Sequence, residues 1–250
     1  MSIPSVTVVI PARNAAGYIC QALESVYAQD VPVQVIVIDD GSEDQTVRCL
    51  EPYRDREDFT LIMNRSPQGP ARCRNMGTEL ARSEYIAFLD ADDWWEKGKL
   101  KAQLEILAKS GCVLCTTGRE LMEPDGTPTG RYIPVSDRIS YRNLLRHNSI
   151  NCSSVVVRRD AMLEFPMEHD GDSHEDYITW LKMLKKYGTA VGIDRPFLKY
   201  RLSKGGKSRN KLRSALMTYR AYRYAGIPAV RSAGCFVSYT LHGLWKYGLH

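Results

Sequence analysis

The chain is predicted to be an α/β domain built on a mostly parallel sheet, and three observations point there. Short β-branched apolar runs recur, most plainly at 6–10 and 33–38. Such unbroken runs mark strands covered on both faces, since a strand with one wet face would alternate. Segments with helical spacing lie between them, as in 16–29, where Ile19, Leu23 and Val26 fall on one face. Polar clusters stand directly after the runs: Pro11-Ala-Arg-Asn14, Asp39-Asp-Gly-Ser42 and Asp90-Ala-Asp-Asp93.

Taken in order, the run at 6–10 ends at Pro11 as a buried parallel strand would. The opening MSIPSVTVVIPARN has no basic segment or small-residue cleavage site, so it reads as this strand rather than a signal peptide. The run at 33–38 is a second strand, with a helix following from Asp44, and 59–63 is a third. Residues 69–81 form a helix with a glycine-proline start, and 85–89 is a fourth strand ending at Asp90. Strand and helix alternating through short connections is the rhythm of a parallel sheet. Beyond this the pattern loosens: strands at 113–121 and 153–157 flank a turn-rich stretch at Pro124-Asp-Gly126, a helix at 174–186 starts with Glu175 and Asp176, and a strand covers 197–202. Basic, tyrosine-rich helices follow from about Ser208, broken near Gly226-Ile-Pro228.

Size and composition bound the function. A chain of 250 residues accommodates one large domain with a helical appendage. The division expected is a main domain at 1–203, in halves at 1–95 and 96–203, followed by a basic extension at 204–250. No apolar run approaches the roughly 18 residues of a membrane span. Seven scattered cysteines, an odd number, suit reduced thiols in a cytoplasmic protein. Cys112 and Cys115 have the spacing of half a zinc site or a redox pair, but no second pair accompanies them and they sit in an apolar run, so core packing is the expectation. The net charge of +5 conceals an asymmetry: no acidic residue follows Asp194, while the last 56 residues carry 12 Lys and Arg. An acidic body with a basic tail suggests an anionic partner for the tail.

The polar clusters carry the chemistry. In an open α/β sheet, ligands sit outside the carboxyl ends of the strands, where all three clusters fall. Side-chain alternation places Asp90 and Asp92 on one side, able to address one ligand. A hard divalent cation takes one or two carboxylates together with substrate phosphates. Asp39 and Asp40 are suited to accept from a nucleobase N–H and a ribose hydroxyl, or else belong to a tight turn capped by Ser42 or Asp44. Glu175 and Asp176 stand in the acidic first turn of a helix, where the dipole favours them.

In this order and spacing, Val8-Val-Ile-Pro-Ala-Arg-Asn14, Val37-Ile-Asp-Asp-Gly-Ser42, Gly69 through Cys73-Arg-Asn75, Phe88-Leu-Asp-Ala-Asp-Asp93, His174-Glu-Asp176 and Tyr200-Arg201 resemble the family 2 glycosyltransferases, which have the GT-A fold. They resemble in particular the bacterial members that build teichuronic acid and capsules. The resemblance implies an inverting, metal-dependent transfer from a nucleotide-sugar donor, a UDP-sugar by expectation, to an acceptor hydroxyl. It places Pro11, Arg13 and Asn14 along the base and ribose, Asp40 at the base with Asp39 beside it, and Gly69 and Arg74 near the phosphates. Asp90 and Ala91 then lie at the ribose side, Asp92 is the ligand of Mn2+ or Mg2+, Asp93 a supporting carboxylate, and Asp176 the catalytic base. Two departures stand out. Leu202-Ser203-Lys204 replaces a histidine that many relatives carry after Tyr200-Arg201, and Arg13 stands where many have an aromatic residue.

Other residues receive secondary roles. Glu175, Arg201, Lys204 and Lys207 are candidates for phosphate or acceptor contacts; the glycine-containing loop of the two lysines is otherwise an ordinary linker. His174 is placed to orient the acceptor or is merely exposed, and Trp94 to shape the sugar pocket or pack in the core. For the tail, with Tyr219, Tyr222, Tyr224, Tyr239 and Trp245 among its cations, the expectation is a peripheral hold on the inner face of the membrane, near a polyprenyl-diphosphate-linked acceptor glycan. The alternatives are packing on the catalytic domain or a homodimer contact. Nucleic acid is not the expected partner, since the acidic body would repel its backbone. Nucleotidyl transfer would want a glycine-rich basic loop after the first strand, and a dead sugar-nucleotide binder would not need both Asp92 and Asp176.

Overall fold

The computed structural model describes residues 6–169, 171–202 and 211–247. Its strands, in chain order, are β1 (Val6–Ala12), β2 (Val33–Asp39), β3 (Phe59–Met63), β4 (Tyr85–Phe88), β5 (Trp94–Trp95), β6 (Leu114–Met122), β7 (Pro128–Ile133), β8 (Arg138–Ser140), β9 (Val156–Arg158) and β10 (Thr189–Arg201). The helices are α1 (Ile19–Tyr27), α2 (Thr46–Cys49), α3 (Pro70–Leu80), α4 (Lys99–Ser110), α5 (Tyr141–Arg146), α6 (Arg159–Glu164), α7 (Glu175–Tyr187), α8 (Lys211–Tyr224) and α9 (Ala229–Tyr247).

One sheet runs in the order β3-β2-β1-β4-β9-β6-β10-β5, with β7 on β6 and β8 on β10. The first four strands are all parallel, whereas β9 runs against both β4 and β6. The chain leaves β1 towards β2 and β3, then returns to place β4 on the other side of β1. That reversal opens a crevice at the carboxyl end of β1, where an open α/β sheet binds its ligand.

Both faces are covered, which explains the unbroken apolar runs. Val8, Ile10, Val35 and Val37 pack with α1 and α4 residues, while Val9, Ile36 and Ile38 pack with α3 and α7 residues on the opposite side. Helix α3 lies so close to β1 that a Cβ on Gly77 would meet Val9 Cγ1 at 2.3 Å. Only glycine fits there.

The expected strand at 153–157 is shorter: Cys152–Ser154 form a 3-10 turn and β9 begins at Val156. Ser154 Oγ donates to Asn151 O at 2.7 Å, closing the turn in competition with extension. The helix expected from Asp44 is reduced to the four residues of α2, and a 3-10 turn at Glu51–Tyr53 follows it, where Pro52 has no N–H to continue an α-helical ladder. All seven cysteines are free, with Cys115 in the core, so the packing reading fits this pair.

The tail helices pack on the domain. Tyr222 of α8 is fully buried and donates to Leu145 O at 2.7 Å, and its ring meets Tyr177 of α7 edge-on. Among the described residues, no helix is long and apolar enough to cross a membrane.

Candidate active site

The loops after β1, β2 and β4 and the start of α7 enclose one cleft of about 780 Å³. Thirteen residues singled out from the sequence border it: Pro11, Arg13, Asn14, Asp40, Gly69, Arg74, Asp90, Ala91, Asp92, His174, Glu175, Asp176 and Arg201. Asp39 and Trp94 do not border it, and Lys204 and Lys207 lie outside the described residues.

The first two loops hold each other. Asn14 takes the left-handed conformation at φ 50°, which asparagine tolerates, and its backbone N–H donates to Ser42 Oγ at 2.9 Å. Its side-chain Oδ1 accepts from Glu43 N at 2.9 Å. Arg13 is thereby left exposed at the cleft rim. Buried Asp39 is a turn residue, accepting from Ser42 N at 3.2 Å. Asp40 organises the far wall: it accepts from Asn64 Nδ2 and Gln68 N at 2.8 Å and from Gly69 N at 2.9 Å. Burial pushes its pKa up, but these bonds outweigh burial and the net shift is downward. Gly69, at φ 90°, turns the chain into α3.

A buried arginine links the two halves of the cleft. Arg74 Nη2 donates to Asp90 at 2.6 Å and Nη1 to Glu175 at 3.0 Å, joining positions 101 apart in sequence. Glu175 therefore stands as a partner of Arg74 beneath the cleft. The carboxylate beside it, Asp176, is half-buried and borders the cleft. Burial, then the charge of Glu175, pushes the Asp176 pKa up to about 6. A carboxylate so tuned is ionised near neutrality yet basic enough to take a proton.

The Asp90–Asp93 segment is a turn closed by Asp93 N–H donating to Asp90 O at 3.0 Å, since β4 already ends at Phe88. Asp90 and Asp92 thus share the cleft through a turn rather than through strand alternation. Burial and the neighbouring Asp90 charge raise the Asp92 pKa to about 6. Asp93 is buried, accepts from Arg201 N at 2.9 Å, and is pushed well up by burial and by Asp92. The Arg201 side chain braces this turn: Nε donates to Asp92 O at 2.8 Å, Nη1 to Pro124 O at 2.9 Å and Nη2 to Gln21 at 2.7 Å. Its guanidinium sits between the rings of Tyr18 and Trp94, at 4.7 and 4.8 Å. Trp94 packs on this arginine, and Trp95 is buried with Nε1 donating to Ser153 O at 2.7 Å.

Tyr18, Asn148, Asn151 and Cys152 also border the cleft and carry no motif that would have singled them out, and Tyr200, of the Tyr200-Arg201 motif, joins them there. Burial holds the Cys152 thiol well above its ordinary pKa, so it stands as a neutral group among charged neighbours.

Residues 7–164 match the Glycosyl transferase family 2 domain. The chain belongs to that family. This glycosyltransferase is 33% identical, over 97% of both chains, to TuaG of Bacillus subtilis, a protein named for teichuronic acid biosynthesis. It is 29% identical to Escherichia coli WfaP, named a UDP-Glc:alpha-D-GlcNAc-diphosphoundecaprenol beta-1,3-glucosyltransferase, over 97% of this chain and 95% of that one. Among solved structures, Staphylococcus aureus TarS 1–349 with UDP-GlcNAc superposes with TM-score 0.74 at 18% identity, over 97% of this chain and 73% of that one. The mannosyltransferase PcManGT of Pyrobaculum calidifontis, with GDP-Man and Mn2+, superposes with TM-score 0.70 at 18% identity, over 100% of this chain and 77% of that one. The glycosyltransferase therefore has the GT-A fold, followed by C-terminal helices.

Proposed function

We propose that this glycosyltransferase inverts configuration in a single displacement, moving a sugar from a UDP-sugar to a hydroxyl of a lipid-linked or growing cell-surface polysaccharide. The observation that carries the reading is that Asp90 and Asp92, just after β4, and Asp176, at the start of α7, border one cleft. Asp176 accepts the acceptor hydroxyl proton as the new O–C1 bond forms and the C1–O bond to the diphosphate breaks. No protein nucleophile enters, which suits a cleft whose thiols, Cys73 and Cys152, are held neutral by burial. The names of WfaP and TuaG support a UDP-sugar and a polysaccharide acceptor.

Asp92 fits a divalent cation, Mn2+ or Mg2+. Its pKa is raised by burial and by Asp90, so positive charge is wanted beside it. Among the described residues no three His, Cys, Asp or Glu side chains form a protein cage, so the remaining ligands would come from phosphate and water. Such an ion neutralises charge on the departing diphosphate. The Mn2+ in PcManGT supports the choice.

A domain at 1–203 with an extension at 204–250 is the division we favour, although α8 is fastened to α7 as part of the same core. Exposed Val230 and Val237 with Arg231 on α9 give this helix a face suited to the inner surface of an anionic membrane. Sedimentation with anionic liposomes tests it: V230S/V237S leaves buried Tyr222 in place and should weaken binding, and equal binding would remove the idea. The function itself is tested by incubating the protein with a panel of UDP-sugars, Mn2+ and a polyprenyl-diphosphate-linked sugar. Product of inverted anomeric configuration is expected, and retention or no donor binding would overturn the reading.

A further inference from the structure

We infer that Asn148 and Asn151 form a hydroxyl-reading edge for the sugar at the point of transfer, a subsite that rests on the proposed transferase reaction. Among the described residues, two that border the cleft, Asn148 and Asn151, each hold a buried side-chain oxygen, Oδ1, that lacks a partner. The orphaned carboxylate oxygens of Asp39 and Asp93 lie away from the cleft lining. A buried polar atom without a partner is unfavourable, and at a cleft wall the natural remedy is a bound ligand. A sugar hydroxyl satisfies either end of an amide, because it both donates and accepts.

The placement of this segment argues for the transferred sugar and its acceptor rather than the nucleotide. Asn151 precedes the turn in which Ser153 Oγ accepts from Asp90 N at 3.1 Å and Ser153 O accepts from Trp95 Nε1 at 2.7 Å. Asn148 follows α5, whose Leu144 O accepts from Tyr177 on the base-carrying helix at 2.7 Å. The segment is thus tied to the donor-side carboxylate at one end and to the helix of Asp176 at the other. The base-side and ribose-side loops around Asn14 and Asp40 belong to other strands.

The test uses the full chain with N148A and N151A, and with N151S, which keeps a short polar group. Calorimetry compares UDP with UDP-glucose and UDP-N-acetylglucosamine, and steady-state transfer titrates a lipid-diphosphate-linked sugar. UDP affinity should stay within about twofold, while nucleotide-sugar affinity or acceptor kcat/KM falls about tenfold, with partial recovery in N151S. Loss confined to the nucleotide-sugar arm assigns the edge to the donor sugar; loss confined to the acceptor arm assigns it to the acceptor. Melting temperature should hold or rise, since no internal partner is removed. Unchanged values in both arms, or a lowered melting temperature with uniform loss of UDP binding, overturn the subsite alone. A wild-type chain that binds neither UDP nor a UDP-sugar overturns this inference and the proposed function together.

Discussion

Arg74 bonds Asp90 at 2.6 Å from a side chain that is 5% exposed, and the same guanidinium reaches Glu175 at 3.0 Å. A buried cation shared by two carboxylates is strongly coupled to them, because removing it leaves negative charge stranded. R74M should therefore cost on the order of 3 kcal/mol in urea denaturation. R74K should recover only part, since an ammonium lacks the planar fork that serves both partners. A loss under about 1 kcal/mol in R74M would mean the two halves of the cleft are held by something else.

Asp176 predicts a split between stability and activity. Its folded pKa of about 6 lies above the ordinary value of 3.8, so the folded chain holds this proton more tightly than the unfolded one. Its contribution favours folding at low pH and is lost as pH rises through that window, leaving a penalty at neutrality. D176N should raise stability near pH 7.5 by about 1–3 kcal/mol while transfer collapses and UDP binding survives. The wild-type kcat/KM should fall about tenfold per pH unit below about 6, as the base becomes protonated. Full activity at pH 5 would remove Asp176 from the role of base.

The first four strands and the loops after them were legible because local sequence and global position agree there. The run at 6–10 is buried on both faces, so composition alone marks it as a central strand, and the clusters at 11–14, 39–42 and 90–93 follow from strand ends. What stayed hidden depends on distant partners. Nothing near Arg74 announces Glu175, and Asn148 and Asn151 are ordinary loop residues until their buried oxygens are found unpaired. Helices α5 and α6, with six residues each, are too short to carry a period, and exposed β7 is held by pairing with β6.

Asp92 should govern the response to metal. Titrating UDP with and without Mn2+ should reveal a metal-dependent gain in affinity that D92N lowers about tenfold or more. D92N should leave binding without metal close to wild type, because Asp40 and the first loop are anchored independently of it. An undiminished Mn2+ effect in D92N would move the ion to another carboxylate.

The rings of His169 and Tyr224 stack at 3.8 Å, and this contact ties α8 to the segment that leads into the proposed base, Asp176. His169 is held at φ 64°, a conformation that a non-glycine residue keeps only when its surroundings impose it. The surroundings here are α8: Tyr224 donates to Asp172 at 2.8 Å, Ser173 Oγ donates to Met217 O at 3.2 Å, and Arg220 pairs with Asp172 at 3.6 Å. The segment leading into Glu175 and Asp176 is therefore clamped by α8, the first helix of the basic tail. Y224A removes the stack and one hydrogen bond while sparing buried Tyr222, so the fold should survive. Its kcat should fall about fivefold to tenfold, with the KM for the UDP-sugar unchanged, because only the base side loosens. Deleting residues from 208 onward, by contrast, takes Tyr222 out of the core and should cost soluble protein before it reports on any membrane. A Y224A enzyme with normal kcat would free α8 from the active site.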